Sequence, residues 1–264
     1  MAKTERELAF LRDLYINEDW TRRFTELADA HLDISSAENF LYINAGTGDH
    51  CLALRERAGE DTAFFASCEN EDVLCIARDK AIAVGGDVEF AASNYETGAF
   101  DAVLADATLV PPAAVEGLIK ESVRVAEPGG RVMIMLPSAG SFGEIFSLLW
   151  EIFFNDEMGD GGAAAERLIA ELPSVSRIEE IAEQAGLGSV TTHLSNEVFE
   201  YDDGAALLAS PLVTDFLMPE WLRSLTADER ERVETRLAGL IDEEDGSLTF
   251  RFSVKATILM GEKS

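Results

Sequence analysis

Between residues 39 and 137 short, continuously apolar runs alternate with longer amphipathic ones, and this alternation restricts the fold more than any other feature. NFLYIN (39–44), TAFFAS (62–67), VEFAA (88–92), AFDAVLAD (99–106) and RVMIMLP (131–137) read as strands. HCLALRERAG (50–59), EDVLCIARDKAIAVGG (71–86) and AAVEGLIKESVRVA (113–126) read as helices. Strands apolar on both faces must be covered on both faces, which a parallel sheet with crossover helices achieves. The expectation is an α/β fold.

The flanks carry other patterns. Three Ser or Thr residues followed three positions later by Glu read as capping boxes: Thr4/Glu7, Ser176/Glu179 and Thr226/Glu229. The first opens a helical N-terminal segment, roughly 5–31, with Leu8, Leu11 and Tyr15 on one face and a break near Asn17–Asp19. After Pro137 a helical stretch bears Phe142, Phe146, Leu149, Trp150 and Phe153, followed by a short helix near 163–172 and a helix from Ser176 to Gly186. SVTTHLSNEVFEY (189–201) and LTFRFSVKATILMG (248–261) suit an antiparallel edge pair. Between them lies an acidic helical insertion, 203–246, in which Val233, Leu237, Leu240 and Ile241 form an apolar stripe. The expected organisation is one domain: N-terminal helices 1–37, a core of 38–200 and 247–264, and the 203–246 cap.

The 264 residues carry a net charge of −29, and lysine is confined to Lys3, Lys80, Lys120, Lys255 and Lys263. Such a surface repels nucleic acid and anionic lipid, so neither is expected as a main partner; solubility, or a basic protein partner, suits it. Cys51, Cys68 and Cys75 match no zinc spacing, and His31, His50 and His193 are scattered, so no metal is expected. With no signal peptide and no long apolar span, a cytoplasmic protein with reduced thiols is expected. A homodimer is compatible with all of this.

LYINAGTGDH (41–50) joins a strand to a helix through Gly-Thr-Gly, a usual place to cradle a nucleotide-like ligand. ESVRVAEPGGRVMIMLP (121–137), GAFDAVLAD (98–106) and LCIARDKA (74–81) follow in order and at proper distances. Over roughly 38–200 and 247–261 the chain therefore resembles a class I S-adenosylmethionine-dependent methyltransferase. The resemblance implies a Rossmann-like, seven-stranded, mostly parallel sheet whose last strand lies antiparallel between its neighbours. It also implies S-adenosylmethionine as cofactor, S-adenosylhomocysteine as product, and a small-molecule methyl acceptor. By the same resemblance Asn44, Ala45, Gly46, Thr47 and Gly48 form the cofactor loop, with Gly46 and Gly48 beside the methionine moiety. Asn44 stands where the family has a glycine and tolerates positive φ. Tyr42 stands where the family has a carboxylate. The ribose-binding acidic position falls on Cys68, with Glu69 one residue later able to serve; the alternative is that Glu69 or Asn70 caps the next helix. The residue near the adenine amine is Asn94.

Methyl transfer demands alignment more than proton chemistry, because the donor is already activated. Asp106, at the carboxyl end of the fourth strand, is the candidate to orient or deprotonate an acceptor; as a plain turn residue before Pro111-Pro112 it would do neither. Trp150, Phe153, Phe154 and the run FLMPEWL (216–222) supply aromatic and Met surface, as core of the cap or as the wall of a partly apolar acceptor pocket. The N-terminal helices are expected to help roof that pocket, with Tyr15 and Trp20 either closing it or simply packing. Two other functions compete with methyl transfer. One is a binding or scaffold protein on a methyltransferase fold that has lost its cofactor. The other is an NAD-dependent oxidoreductase, since Gly46-Thr47-Gly48 with Glu69 about twenty residues on mimics the dinucleotide fingerprint; its third glycine, however, would fall on Cys51.

Overall fold

The structure, a computed structural model, describes residues 3–91, 95–155, 163–243 and 249–264. An N-terminal helical run comprises α1 (Glu5–Leu11), a π-helical segment (Arg12–Thr21) and α2 (Arg22–Asp29). Then β1 (Asn39–Ile43), α3 (Asp49–Arg57), β2 (Ala63–Ser67), α4 (Glu71–Val84) and β3 (Glu89–Ala91) form two crossover units. β4 (Phe100–Asp106), α5 (Pro112–Val125) and β5 (Ala126–Pro137) form the third. Later elements include α6 (Gly143–Asn155), α7 (Ala163–Glu171), α8 (Val175–Gln184), β6 (Leu187–Tyr201), α9 (Gly204–Ala209), a second π-helical turn (Leu212–Leu217), α10 (Met218–Trp221), α11 (Ala227–Glu243) and β7 (Phe250–Lys263).

The seven strands lie in the order β3-β2-β1-β4-β5-β7-β6. β1 pairs in parallel with β2 and β4, and Leu41 stands in register with Phe65 on one side and Val103 on the other. β7 runs the other way: Lys263, at its C-terminal end, donates to the carbonyls of Arg124 and Ala126 at the start of β5. The order reverses at β1/β4, so the carboxyl ends of β1, β2 and β4 open the crevice where such sheets bind ligands. The expected Rossmann-like sheet with one antiparallel strand is present.

The Glu127-Pro128-Gly129-Gly130 turn proves to be a bulge within β5. Phe100 pairs with Ala126 and Ala102 with Arg131, so the β5 edge carries extra residues over this stretch. A Cβ on Gly130 would come within 2.9 Å of the carbonyl oxygens of Glu127 and Phe100, which only glycine avoids.

The N-terminal run departs from expectation. No break occurs near Asn17–Asp19; the chain stays helical from Glu5 to Asp29 by widening into π turns. Its buried stripe is Arg12, Ile16, Trp20, Phe24 and Ala28, not Leu8, Leu11 and Tyr15. A strict four-residue spacing drifts around an α-helix of 3.6 residues per turn, and the wider π turn counters that drift. Trp20 is fully buried, whereas Tyr15 is exposed. Two of the three capping boxes form, at Thr4/Glu7 and Thr226/Glu229. The third does not: α8 starts at Val175, and Glu179 instead accepts from the Thr192 hydroxyl.

The chain divides into two compact units. The first holds residues 1–136, 175–194 and 256–264, and its core gathers Leu41, Val103, Ile119, Ile134 and Leu259 around the parallel strands. The second holds 137–174 and 195–255. There Trp221 packs edge-on against Phe142 and Phe146, and the expected α11 stripe of Val233, Leu237, Leu240 and Ile241 is buried. Phe153 is buried, while Trp150 and Phe154 stack on each other and are exposed.

Leu104 lies fully buried on the central strand β4, with parallel strands on both sides. Leu104→Ala is expected to cost about 2–5 kcal/mol, seen as a lower urea midpoint with an unchanged slope.

Candidate functional site

The loop after β1 is built by backbone conformation. Asn44 adopts φ +58°, and its amide donates to the Asp106 carbonyl at 3.1 Å, tying the end of β1 to the end of β4. The Ala45 N–H donates to the Ser67 carbonyl at 2.8 Å, tying the loop to β2 as well. Gly46 and Gly48 follow at φ +56° and +90°. Their reasons for being glycine differ. A Cβ on Gly48 would meet Phe90 at 3.1 Å and Ala77 at 3.2 Å, so that glycine serves helix–sheet packing. A Cβ on Gly46 would meet the Arg12 guanidinium first, with Nε at 3.1 Å and Nη2 at 3.3 Å.

Arg12 comes from the π-helical segment and is 7% exposed. Its Nη2 lies 2.7 Å from Glu69 Oε1 and 4.0 Å from Asp106 Oδ2, while its buried Nε has no hydrogen-bond partner. Burial disfavours the charge on Arg12, but Glu69 and then Asp106 outweigh it and raise the guanidinium pKa. Burial pushes the Glu69 carboxyl up; Arg12 opposes this and Asp106 adds to it. Asn70, not Glu69, caps α4, accepting from the Val73 N–H at 3.0 Å. Glu69 is thereby left to Arg12. Cys68, beside it, is a free thiol pushed up to about 12 by burial.

A second cluster clamps the N-terminal run onto the glycine loop. Lys80 on α4 reaches Asp49 Oδ1 at 2.6 Å and also bonds Asp13. The buried Thr47 hydroxyl donates to Asp13 at 2.7 Å and accepts from the Asn17 amide at 2.7 Å. A third contact involves Tyr42, which is 1% exposed. Its hydroxyl sits 3.0 Å from His50 Nδ1, and His50 Nε2 sits 3.3 Å from Asp29 Oδ1, which also takes Arg57 at 2.7 Å. Burial pushes the Asp29 carboxyl up, but the bonds from His50 and Arg57 prevail and hold it below its ordinary value. Tyr42 is thus linked through His50 to a carboxylate two side chains away. His50, in the first turn of α3, is the middle of this chain of contacts.

These groups enclose a cavity of about 350 Å³, lined by Arg12, Asn17, Tyr42, Gly46, Lys80 and Asp106 among others. That volume lies within the usual range for small-molecule sites. Asp106 ends β4, and its Oδ1 accepts from the Thr108 N–H at 2.7 Å; Oδ2 faces Arg12. Of the expected residues, Ala45, Gly46 and Asp106 line it; Asn44, Thr47, Gly48 and Glu69 stand behind that lining, bonded to or packed against it. Asn94 lies outside the described residues. Sequence reasoning missed Arg12, Asp13, Asn17, Asp29 and Lys80. The available signal was a charged residue on a four-spaced apolar stripe, Arg12-Ile16-Trp20-Phe24, where an arginine is buried only if paired.

Residues 10–196 match the model of the ubiE/COQ5 methyltransferase family. The chain belongs to this family. The matched stretch begins inside α1 and so includes the N-terminal run that carries Arg12. A demethylmenaquinone methyltransferase of Thermus thermophilus is 34% identical over 143 residues, which span 50% of this chain and 61% of that protein. One from Shouchella clausii is 24% identical over 176 residues, spanning 61% of this chain and 74% of that protein. Among solved structures, the YcgJ protein of Bacillus subtilis shares the fold with a TM-score of 0.59 at 15% identity, covering 92% of this chain and 98% of its own. A Haemonchus contortus phosphoethanolamine N-methyltransferase, solved with phosphomonomethylethanolamine and S-adenosylhomocysteine, has a TM-score of 0.56 at 13% identity, over 98% of this chain and 57% of its own.

Asp29 yields a pH signature. Its folded pKa is lowered, so the stability it adds is present above the ordinary value of about 3.8 and is lost as pH falls through the folded value. Asp29→Asn is expected to lower stability at pH 7 by roughly 0.5–1 kcal/mol, since the group is partly solvated. In denaturant melts the gap between the two proteins should close as pH falls below that ordinary value of about 3.8.

Proposed function

We propose that this chain transfers a methyl group from S-adenosylmethionine to a small, partly apolar acceptor. The observation that carries the reading is Gly46: a loop glycine whose missing side chain faces the cavity, between the ends of β1, β2 and β4, in a chain of a methyltransferase family. The residues fit such a cofactor. Glu69 at the end of β2 is suited to accept from two ribose hydroxyls, and the unpartnered Arg12 Nε offers a donor inside the cavity wall. The cofactor supplies an activated methyl on a sulfonium, so no metal or strong base is needed to generate the electrophile.

Within this reading Asn44 to Gly48 hold the methionine end against the bare backbone, Glu69 holds the ribose, and Asn94 serves the adenine side. Asp106 presents Oδ2 to the cavity and orients the acceptor, or takes its proton where the acceptor must lose one. The names of the two bacterial relatives make demethylmenaquinone the first acceptor to assay. The −29 charge supports a small-molecule partner over nucleic acid. Among the described residues no helix is long and apolar enough to cross a membrane.

Calorimetric titration of the full chain with S-adenosylmethionine and S-adenosylhomocysteine, with NAD as control, tests the reading. Both sulfur ligands are expected to bind and NAD not. Glu69→Gln should weaken S-adenosylhomocysteine about 10–100-fold, the loss of charge-assisted hydrogen bonds to a diol. Absence of binding by the unmodified chain would move the function to partner binding on a methyltransferase fold.

A further inference from the structure

Resting on the methyltransferase reading, we propose that Arg12 is the residue by which the site distinguishes an amino-acid-bearing nucleoside from a plain one. It does so by exchanging Glu69 for the ligand's α-carboxylate.

Three observations place Arg12 at this role. Its guanidinium lines the cavity while Glu69, paired to it at 2.7 Å, does not, so Arg12 stands in front of the carboxylate that the ribose needs. The same guanidinium fills the space beside Gly46, with Nε and Nη2 at 3.1 and 3.3 Å from where a Cβ would be. A ligand that runs along the bare backbone of Gly46 and reaches Glu69 must take that space, and Arg12 must leave it. Finally, the present pairing is incomplete. Arg12 Nε is buried with no acceptor, and Asp106 Oδ2 at 4.0 Å is too far for a hydrogen bond.

Where the displaced charge goes follows from the surrounding anions. Asp13 and Asp49 are already held by Lys80. Asp29 is held by Arg57 and His50. Asp106 has one oxygen committed to the Thr108 N–H. A cation moved within this wall keeps at most Asp106 Oδ2, since Glu18 on the cavity rim already faces Arg22, and its full pairing comes from an anion that arrives with the ligand. A nucleoside joined to an amino acid brings both halves of the exchange: a diol for Glu69 and a carboxylate for Arg12. A nucleoside thioether without the amino acid brings only the diol. The fork of arginine suits a carboxylate, which can take the Nε donor that now has no acceptor.

The test titrates S-adenosylhomocysteine and 5′-methylthioadenosine, which share adenine, ribose and thioether, into the full chain and its Arg12→Met variant. The unmodified chain is expected to prefer S-adenosylhomocysteine by about 100-fold or more, the scale of leaving a buried charge unpaired. In Arg12→Met the preference should shrink to about tenfold or less, because the methylthio nucleoside no longer strands a cation. A purely structural Arg12 would weaken both ligands together and leave the ratio unchanged, which overturns the proposal and leaves the methyltransferase reading intact. Equal binding of the two ligands by the unmodified chain also overturns the proposal alone. No binding of S-adenosylhomocysteine by the unmodified chain overturns both. Should Arg12→Met fail to fold, a crystal structure of the unmodified chain with S-adenosylhomocysteine decides. The guanidinium on the ligand carboxylate supports the exchange; the guanidinium still on Glu69 contradicts it.

Discussion

A guanidinium taken out of water loses far more solvation than an ordinary contact returns, so the position of Arg12 is set by the carboxylate that stands 2.7 Å from it. That carboxylate, Glu69, is fixed by the end of β2 and by Asn70, which takes over the capping of α4. A buried pair of this kind adds little net stability over an apolar pair of the same shape, but breaking it strands a charge. Its effect is positional. It sets where the N-terminal run crosses the carboxyl ends of the strands. The run accommodates this by winding as a π-helix over Arg12–Thr21, which keeps Arg12, Ile16 and Trp20 on one side. The cavity exists because that run lies over the glycine loop.

Around this pair, charges are paired off locally although the chain as a whole is strongly acidic. Lys80, one of five lysines, neutralises Asp13 from the N-terminal run and Asp49 from the first turn of α3. Tyr42 brings no charge to the end of β1, but its hydroxyl is linked through His50 to Asp29. The carboxylate of this chain of contacts sits on the N-terminal run. The three contacts, at Glu69, Lys80 and Tyr42, join that run to the carboxyl ends of the strands and to α4 beside them.

How much of this was legible follows from what each signal measures. The parallel sheet is readable because NFLYIN is apolar at every interior position and AFDAVLAD is apolar from Ala102 to Ala105, a pattern that calls for cover on both faces. Pro128-Gly129-Gly130 marks an irregularity after the α5 helix; that it is a bulge within β5 depends on pairing with Phe100, a long-range fact. Glu69 and Asn70 were equally able to cap α4 until the Val73 N–H chose Asn70. The N-terminal stripe was misread because an α-helical period was imposed on residues that wind as a π-helix. Lys80 and Asp13 are 67 residues apart, and no local pattern reports such a pair. Asn94, an expectation of the sequence, lies outside the described residues.

Hydrogen–deuterium exchange of the full chain, with and without saturating S-adenosylhomocysteine, is the most direct measurement of whether the N-terminal run and the glycine loop form one ligand cradle. Amides of residues 12–21 and 44–48 should both gain protection on ligand binding, while the far edge of the sheet at β6 stays unchanged. Protection of the loop alone, with residues 12–21 exchanging as before, would contradict the role assigned to the run and to Arg12 within it.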